Sequence, residues 1–99
     1  MTNITSLLVH PGEILRKEYL EPLNMSAGRL AKLLGVPRTR IERIASEQTS
    51  ISTDTAFRLA KIYQTTPEFW MSMQTSHDLK LAKNQVDVSQ IEVLGNLIA

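Results

Sequence analysis

Residues 26–46 read SAGRLAKLLGVPRTRIERIAS, two short amphipathic segments joined at Gly35. Leu30 and Leu34 form one apolar stripe, Ile41 and Ile44 form a second, and Val36 falls at the corner between them. These are the offsets of a helix-turn-helix, with Ala31 small where the two helices must cross. Gly35 suits the left-handed backbone that ends many helices, and Pro37 supplies a preset φ for starting the next one. The spacing predicts two packed helices and makes DNA binding the leading functional expectation.

The second helix has the composition of a DNA-reading surface. Burying Ile41 and Ile44 turns Arg38, Thr39, Arg40 and Arg43 outward, and the N-terminal end of such a helix enters the major groove. An arginine can bind guanine O6 and N7 through two hydrogen bonds at once, and a threonine can sense a neighbouring base edge. Arg40 is the strongest single candidate for base contact. The alternative is an ordinary solvated face in which these arginines pair with Glu42 or Glu47.

Composition bounds the answer without deciding it. Ninety-nine residues with 42% hydrophobic content suit one small domain with a modest core. The net charge is only +1, yet residues 26–43 hold five basic side chains against the single acid Glu42. The absence of cysteine excludes a disulfide framework and a thiolate nucleophile. No apolar run approaches the roughly 20 residues that span a bilayer, and no basic region precedes the first apolar residues as in a secretory signal. A cytoplasmic location is the default expectation.

Helical signals continue on both sides of the motif. Pro11 and Glu13 open a first helix over about residues 11–21, with Ile14, Leu15 and Tyr19 at helical spacing and Pro22 limiting its end. Ser52, Thr53 and Asp54 offer N-cap oxygens for a fourth, whose stripe is Ala56, Leu59, Ala60 and Tyr63. Thr66 caps a fifth that has Pro67 and Glu68 in its first turn, Phe69, Trp70 and Met73 on its apolar side, and an end near residue 81. The expected fold is all-α: five helices, with the helix-turn-helix at the second and third, in one domain over residues 1–99. Its core spans about 10–81, with an N-terminal arm over 1–9 and a C-terminal tail over 82–99.

Other residues carry weaker signals. Tyr63, Phe69 and Trp70 could stack on bases, but aromatics at helical spacing beside Met73 are expected in the core. His10 and His77 lie far apart in sequence, without the spacing of metal ligands, and no metal or cofactor is expected. Glu13, Glu18 and Glu21 alternate with Arg16 and Lys17, which suggests a solvated, locally paired face. No serine sits in a nucleophile-elbow sequence, so an enzyme is not expected. Residues 4–9 and 88–98 are both apolar, the second with Val88, Ile91, Leu94 and Ile98 at helix-like spacing. Each end is either a frayed segment or a surface for a second copy or another protein.

Three segments in unbroken order extend the comparison: HPGEILRKEYLEPLNMS at 10–26, LAKLLGVPRTRIERI at 30–44 and ISTDTAFRLAKIYQTTPEFWMSMQ at 51–74. Together they resemble the phage repressor and Cro type of DNA-binding domain, and more closely the HigA-type antitoxins. The resemblance implies a homodimer that represses its own operon and neutralises a HigB-like toxin, a ribosome-dependent mRNA endonuclease. In that arrangement two recognition helices sit about 34–36 Å apart on half-sites of double-stranded operator DNA.

The resemblance maps recognition roles onto Pro37, Arg38, Thr39, Arg40 and Arg43. Ser26, Arg29, Lys32, Gln48 and Thr49 are candidates for backbone contact. Relatives of this type often carry a basic, glycine-containing turn where this chain reads Glu47, Gln48, Thr49 and Ser50. A solitary regulator without a toxin is the alternative, followed by an interaction module that has lost DNA binding.

Overall fold

The computed structural model describes residues 9–97. All regular structure among them is helical. The first helical run starts as α1 (Pro11–Ile14), continues as a π-helical segment (Leu15–Leu20) and closes in a 3-10 turn (Glu21–Leu23). It is followed by α2 (Ala27–Leu34), α3 (Arg38–Ala45), α4 (Thr53–Tyr63), α5 (Pro67–Lys83) and a short α6 (Leu94–Leu97). No helix of the described residues is long and apolar enough to cross a membrane.

The expected first helix is present, but only its opening turn is α. Leu15 and Leu20 are both buried and lie five residues apart. Widening the helix to i→i+5 bonding brings such a pair toward one face, and the Glu21 amide accordingly donates to the Arg16 carbonyl. Pro22 then tightens the end, and Asn24 closes it in the left-handed region at φ 51°.

The other helices start and stop where their capping residues stand. The hydroxyls of Ser26, Ser52 and Thr66 accept from the amides of Arg29, Thr55 and Phe69 at 3.0, 3.2 and 3.1 Å. Gly35 ends α2 at φ 72°, and the Val36 amide returns to the Ala31 carbonyl at 3.0 Å. Pro37 stands just before α3, whose first helical residue is Arg38. Gln64 ends α4 in the left-handed region, and α5 runs to Lys83, slightly beyond the expected end.

One core joins these elements. α2 packs on α3, α4 packs on α5, and α1 bridges α3 and α5. Leu15, Leu30, Ile41, Ile44, Leu59 and Trp70 are its largest fully buried apolar side chains. The aromatic expectation divides: Trp70 is wholly buried, Tyr63 is half-buried, and Phe69 remains 39% exposed with its ring edge-on to Trp70. A residue one position from Trp70 turns about 100° around the helix, which carries Phe69 to the margin. Gln74, a polar side chain with no sequence signal, is buried. Its Oε1 accepts from the Ile51 amide at 2.8 Å, and its Nε2 donates to Asp78 at 3.0 Å, which ties the α3–α4 connection to α5.

The C-terminal tail departs from its helix-like spacing. Among the described residues beyond Lys83 only Leu94–Leu97 are helical, and Val88, Ile91 and Leu94 are exposed. No face among the described residues buries the stripe, whereas Gly95 and Asn96, poor helix formers, nonetheless fall within the helical turn. Residues 1–8 of the N-terminal arm, together with Ile98 and Ala99, lie outside the described residues.

His10 has a structural role that the sequence did not announce. Its Nδ1 accepts from the Gly12 amide at 2.8 Å, which caps α1, and its ring stands edge-on to His77 at 4.9 Å between centroids. Burial is the main cause lowering its pKa below the ordinary value of 6.5, and His77 adds to it; Glu47, the Thr49 backbone and Asp78 pull the other way. The fold therefore favours the neutral ring. A lowered pKa makes the unfolded chain bind more protons below about pH 6.5, so stability is full above that value and declines as pH falls through the window beneath it. The urea midpoint is expected to drop between about pH 7.5 and about pH 5, and to drop less in His10→Asn, which keeps a capping oxygen without the titration. Identical pH profiles for the two proteins would remove His10 as the cause.

Candidate DNA-binding interface

α3 presents its polar side away from the core because Ile41, Ile44 and Ala45 are buried beneath it. Arg38, Thr39 and Arg43 are exposed on that helix. The stem of Arg38 lies across the start of α2, where a Cβ on Gly28 would stand 2.8 Å from Arg38 Cδ. Glycine at 28 thus leaves room for the Arg38 stem in this rotamer, which a side chain so exposed could also leave. Arg38 Nε also stands 3.4 Å from Glu42 Oε2, an exposed pair one helical turn apart. Arg43 has no carboxylate partner among the described residues.

Arg40, the residue with the strongest sequence expectation for base contact, is engaged within the fold. Its Nη1 lies 2.6 Å from Asp54 Oδ2 at the start of α4. Asp54 also accepts from Arg58 Nε at 2.9 Å, and the Arg58 Nη1 donates to the Leu34 carbonyl at 2.7 Å. The hydrogen bond from Arg40, followed by that from Arg58, holds the Asp54 carboxyl below its ordinary pKa. In the sequence Asp54 stood out only as a candidate helix cap, and Arg58 carried no signal. Their contacts cross 14 and 24 residues, beyond any local pattern.

The two acids that the alternative reading pairs with the recognition arginines behave differently. Glu42 takes Arg38, whereas Glu47 pairs with Arg16 at 3.2 Å. Arg16 also donates to the carbonyl of Ala45, so a cation from the first helical run caps the C-terminal end of α3. Its neighbour Lys17 makes the expected local pair with Glu13 at 3.0 Å.

The candidates for backbone contact flank α3. Arg29 and Lys32 are exposed on α2, and the Ser26 hydroxyl caps that helix while its own proton is left to donate. Pro37 precedes α3 without a capping side chain, and the Arg40 amide bonds the Pro37 carbonyl at 3.1 Å. In the following turn Glu47 has φ 66°, a left-handed conformation that glycine adopts more readily. The amides of Gln48 and Thr49 both bond the Arg43 carbonyl, at 2.8 and 3.3 Å, which leaves their side chains as the donors available to a phosphate.

His10 and His77 are adjacent in space, but no group of three or more His, Cys, Asp or Glu side chains is arranged to hold a metal among the described residues.

Comparison with known proteins gives the family. A helix-turn-helix family model matches residues 17–70. Virulence-associated protein I of Dichelobacter nodosus is 49% identical over 75 residues, 76% of this chain and 69% of that protein. The uncharacterized helix-turn-helix transcriptional regulator YbaQ of Escherichia coli K12 is 38% identical over 93 residues, 90% of this chain and 82% of its own. The solved structure of Pseudomonas aeruginosa antitoxin HigA with the higBA promoter matches with a TM-score of 0.81 at 37% identity, covering 89% of this chain and 99% of that one. The chain belongs to the helix-turn-helix family, in the group that includes the HigA antitoxins.

Proposed function

We propose that this protein is an antitoxin that represses its own operon as a homodimer on double-stranded operator DNA and neutralises a small HigB-like mRNA endonuclease in the cytoplasm. The observation that carries the DNA-binding half is the face of α3, where Arg38, Thr39 and Arg43 project together from a helix whose other side is core. Similarity over nearly the whole of a HigA antitoxin supports the toxin-binding half.

Arg38, Thr39 and Arg43 read base edges in this proposal. Arg40, bonded to Asp54, supports them. Ser26, Arg29, Lys32, Pro37, Gln48 and Thr49 meet the sugar-phosphate backbone. Arg43→Ala is expected to lose about 1–3 kcal/mol of operator affinity and to relax preference at one base pair, the worth of one bidentate contact. Equal affinity of variant and parent in a titration of operator duplex would remove Arg43 from the reading set.

Purification of the tagged chain from its native host tests the toxin half. A stoichiometric companion whose expression alone stops growth is the expected result. Tight operator binding with no companion would instead establish a solitary regulator, the reading that similarity to YbaQ favours.

A further inference from the structure

The contact from Arg40 to Asp54 belongs to a longer chain of bonds. Arg40 of α3 and Arg58 of α4 share one carboxylate oxygen of Asp54, and Arg58 continues to the Leu34 carbonyl at the end of α2. The bonds measure 2.6, 2.9 and 2.7 Å. Arg58 also covers the turn of the motif, since its Nη1 would stand 3.6 Å from a Cβ at Gly35. The angle between α2 and α3 is thus tied from outside by the first two turns of α4.

We infer that Asp54 is a positioning residue for DNA recognition: through Arg40 and Arg58 it fixes α3 against α2, so that Arg38, Thr39 and Arg43 meet the base edges in register. The inference rests on the proposal that α3 reads the operator. Asp54 itself touches no base in this scheme.

Solvent decides what the brace contributes. Asp54, Arg40 and Arg58 are all partly exposed, and ion pairs in that setting add little to global stability. Geometry is another matter. A bidentate arginine contact requires donors and acceptors to align within a few tenths of an ångström, whereas phosphate contacts tolerate slippage. Loss of the brace therefore acts on sequence preference more than on the fold or on general attraction to DNA.

The test uses the full chain, its Asp54→Ala and Arg40→Ala variants, and the double variant. The parent first selects a duplex from a random pool. Affinities for that duplex and for an unrelated duplex of equal length are then measured at several salt concentrations, alongside thermal unfolding. Asp54→Ala is expected to lose roughly tenfold or more on the selected duplex, with an unchanged salt slope, unchanged affinity for the unrelated duplex and a nearly unchanged melting temperature.

Arg40→Ala is expected to lose preference for the selected duplex to the same extent, and the double variant to be no worse than the poorer single one, because both remove the same link. Full selected-duplex affinity in Asp54→Ala overturns the inference. So do additive losses with Arg40→Ala alone relaxing one base pair, which would make Arg40 an independent reader. A parent that selects no duplex overturns the DNA-binding proposal and this inference with it.

Discussion

Gly12→Ala is expected to destabilise the protein by about 3 kcal/mol, the upper end of overpacking penalties, although it adds a single methyl group. Gly12 is buried in the first turn of α1, and a Cβ there would collide with the carbonyl oxygen of Ile44 and stand 2.8 Å from its carbonyl carbon. Both obstacles are backbone of the recognition helix, so no rotamer change relieves them. The first turn cannot simply back away either. Pro11 is fully buried beside Gly12, and the His10 ring is hydrogen-bonded to the Gly12 amide. Either α1 detaches or α3 moves, and operator affinity is expected to fall together with stability.

Urea unfolding and operator titration of the same preparation check both expectations. Gly95→Ala serves as the control, since a Cβ at Gly95 meets no atom within 4 Å. A Gly12→Ala midpoint as close to the parent as that of Gly95→Ala would show that α1 and α3 do not make this approach.

The same contact explains why the sequence HPGEIL is informative. His10 caps, Pro11 begins the helix, and Gly12 permits contact with α3. From sequence, the segment was legible only as a helix start and as part of a resemblance, because the Ile44 carbonyl lies more than 30 residues away. The helix-turn-helix was legible in full for the opposite reason. Leu30 with Leu34, and Ile41 with Ile44, recur at intervals of four and three residues on either side of Gly35, on the scale of helical periodicity.

What distant partners decide stayed hidden. The composition of α3 showed which side chains face outward, but not that Arg40 turns to a carboxylate on α4. Arg16 read as one charge among several on a solvated face, yet it reaches the end of α3. In the first helical run the apolar residues did mark a helix, but the five-residue interval between Leu15 and Leu20 selects a π turn only because the core requires both to be buried. In the tail the opposite holds: Val88 and Ile91 continue a helical spacing with no surface among the described residues to bury against, and spacing alone does not hold a helix in water.

Trp70→Ala is expected to be the most destabilising substitution of all, by about 3–5 kcal/mol, as for other large aromatic side chains removed from a core. That is a large share of the 5–15 kcal/mol typical of such domains. Trp70 is wholly buried at the start of α5 and gathers rings from three elements: Tyr19 of the π-helical segment at 5.3 Å, Tyr63 of α4 at 6.4 Å and Phe69 of α5 at 5.1 Å. Its Nε1 donates to the Thr65 hydroxyl at 2.8 Å.

Trp70→Phe separates the two contributions, keeping an aromatic ring while removing that bond and part of the volume, and should lose less than half as much. Circular dichroism in urea measures both, because the chain has one tryptophan and neither variant retains it. A loss below about 1 kcal/mol in Trp70→Ala would mean that the cluster is looser than a packed core, since burial and cavity formation both predict more. Trp70 lies outside the helix-turn-helix, so the folded fraction of Trp70→Ala should keep the parent's sequence preference. Stability and recognition therefore separate: Trp70 acts on whether the domain folds, Asp54 on how accurately its recognition helix is presented, and Gly12, packed against the backbone of that helix, on both.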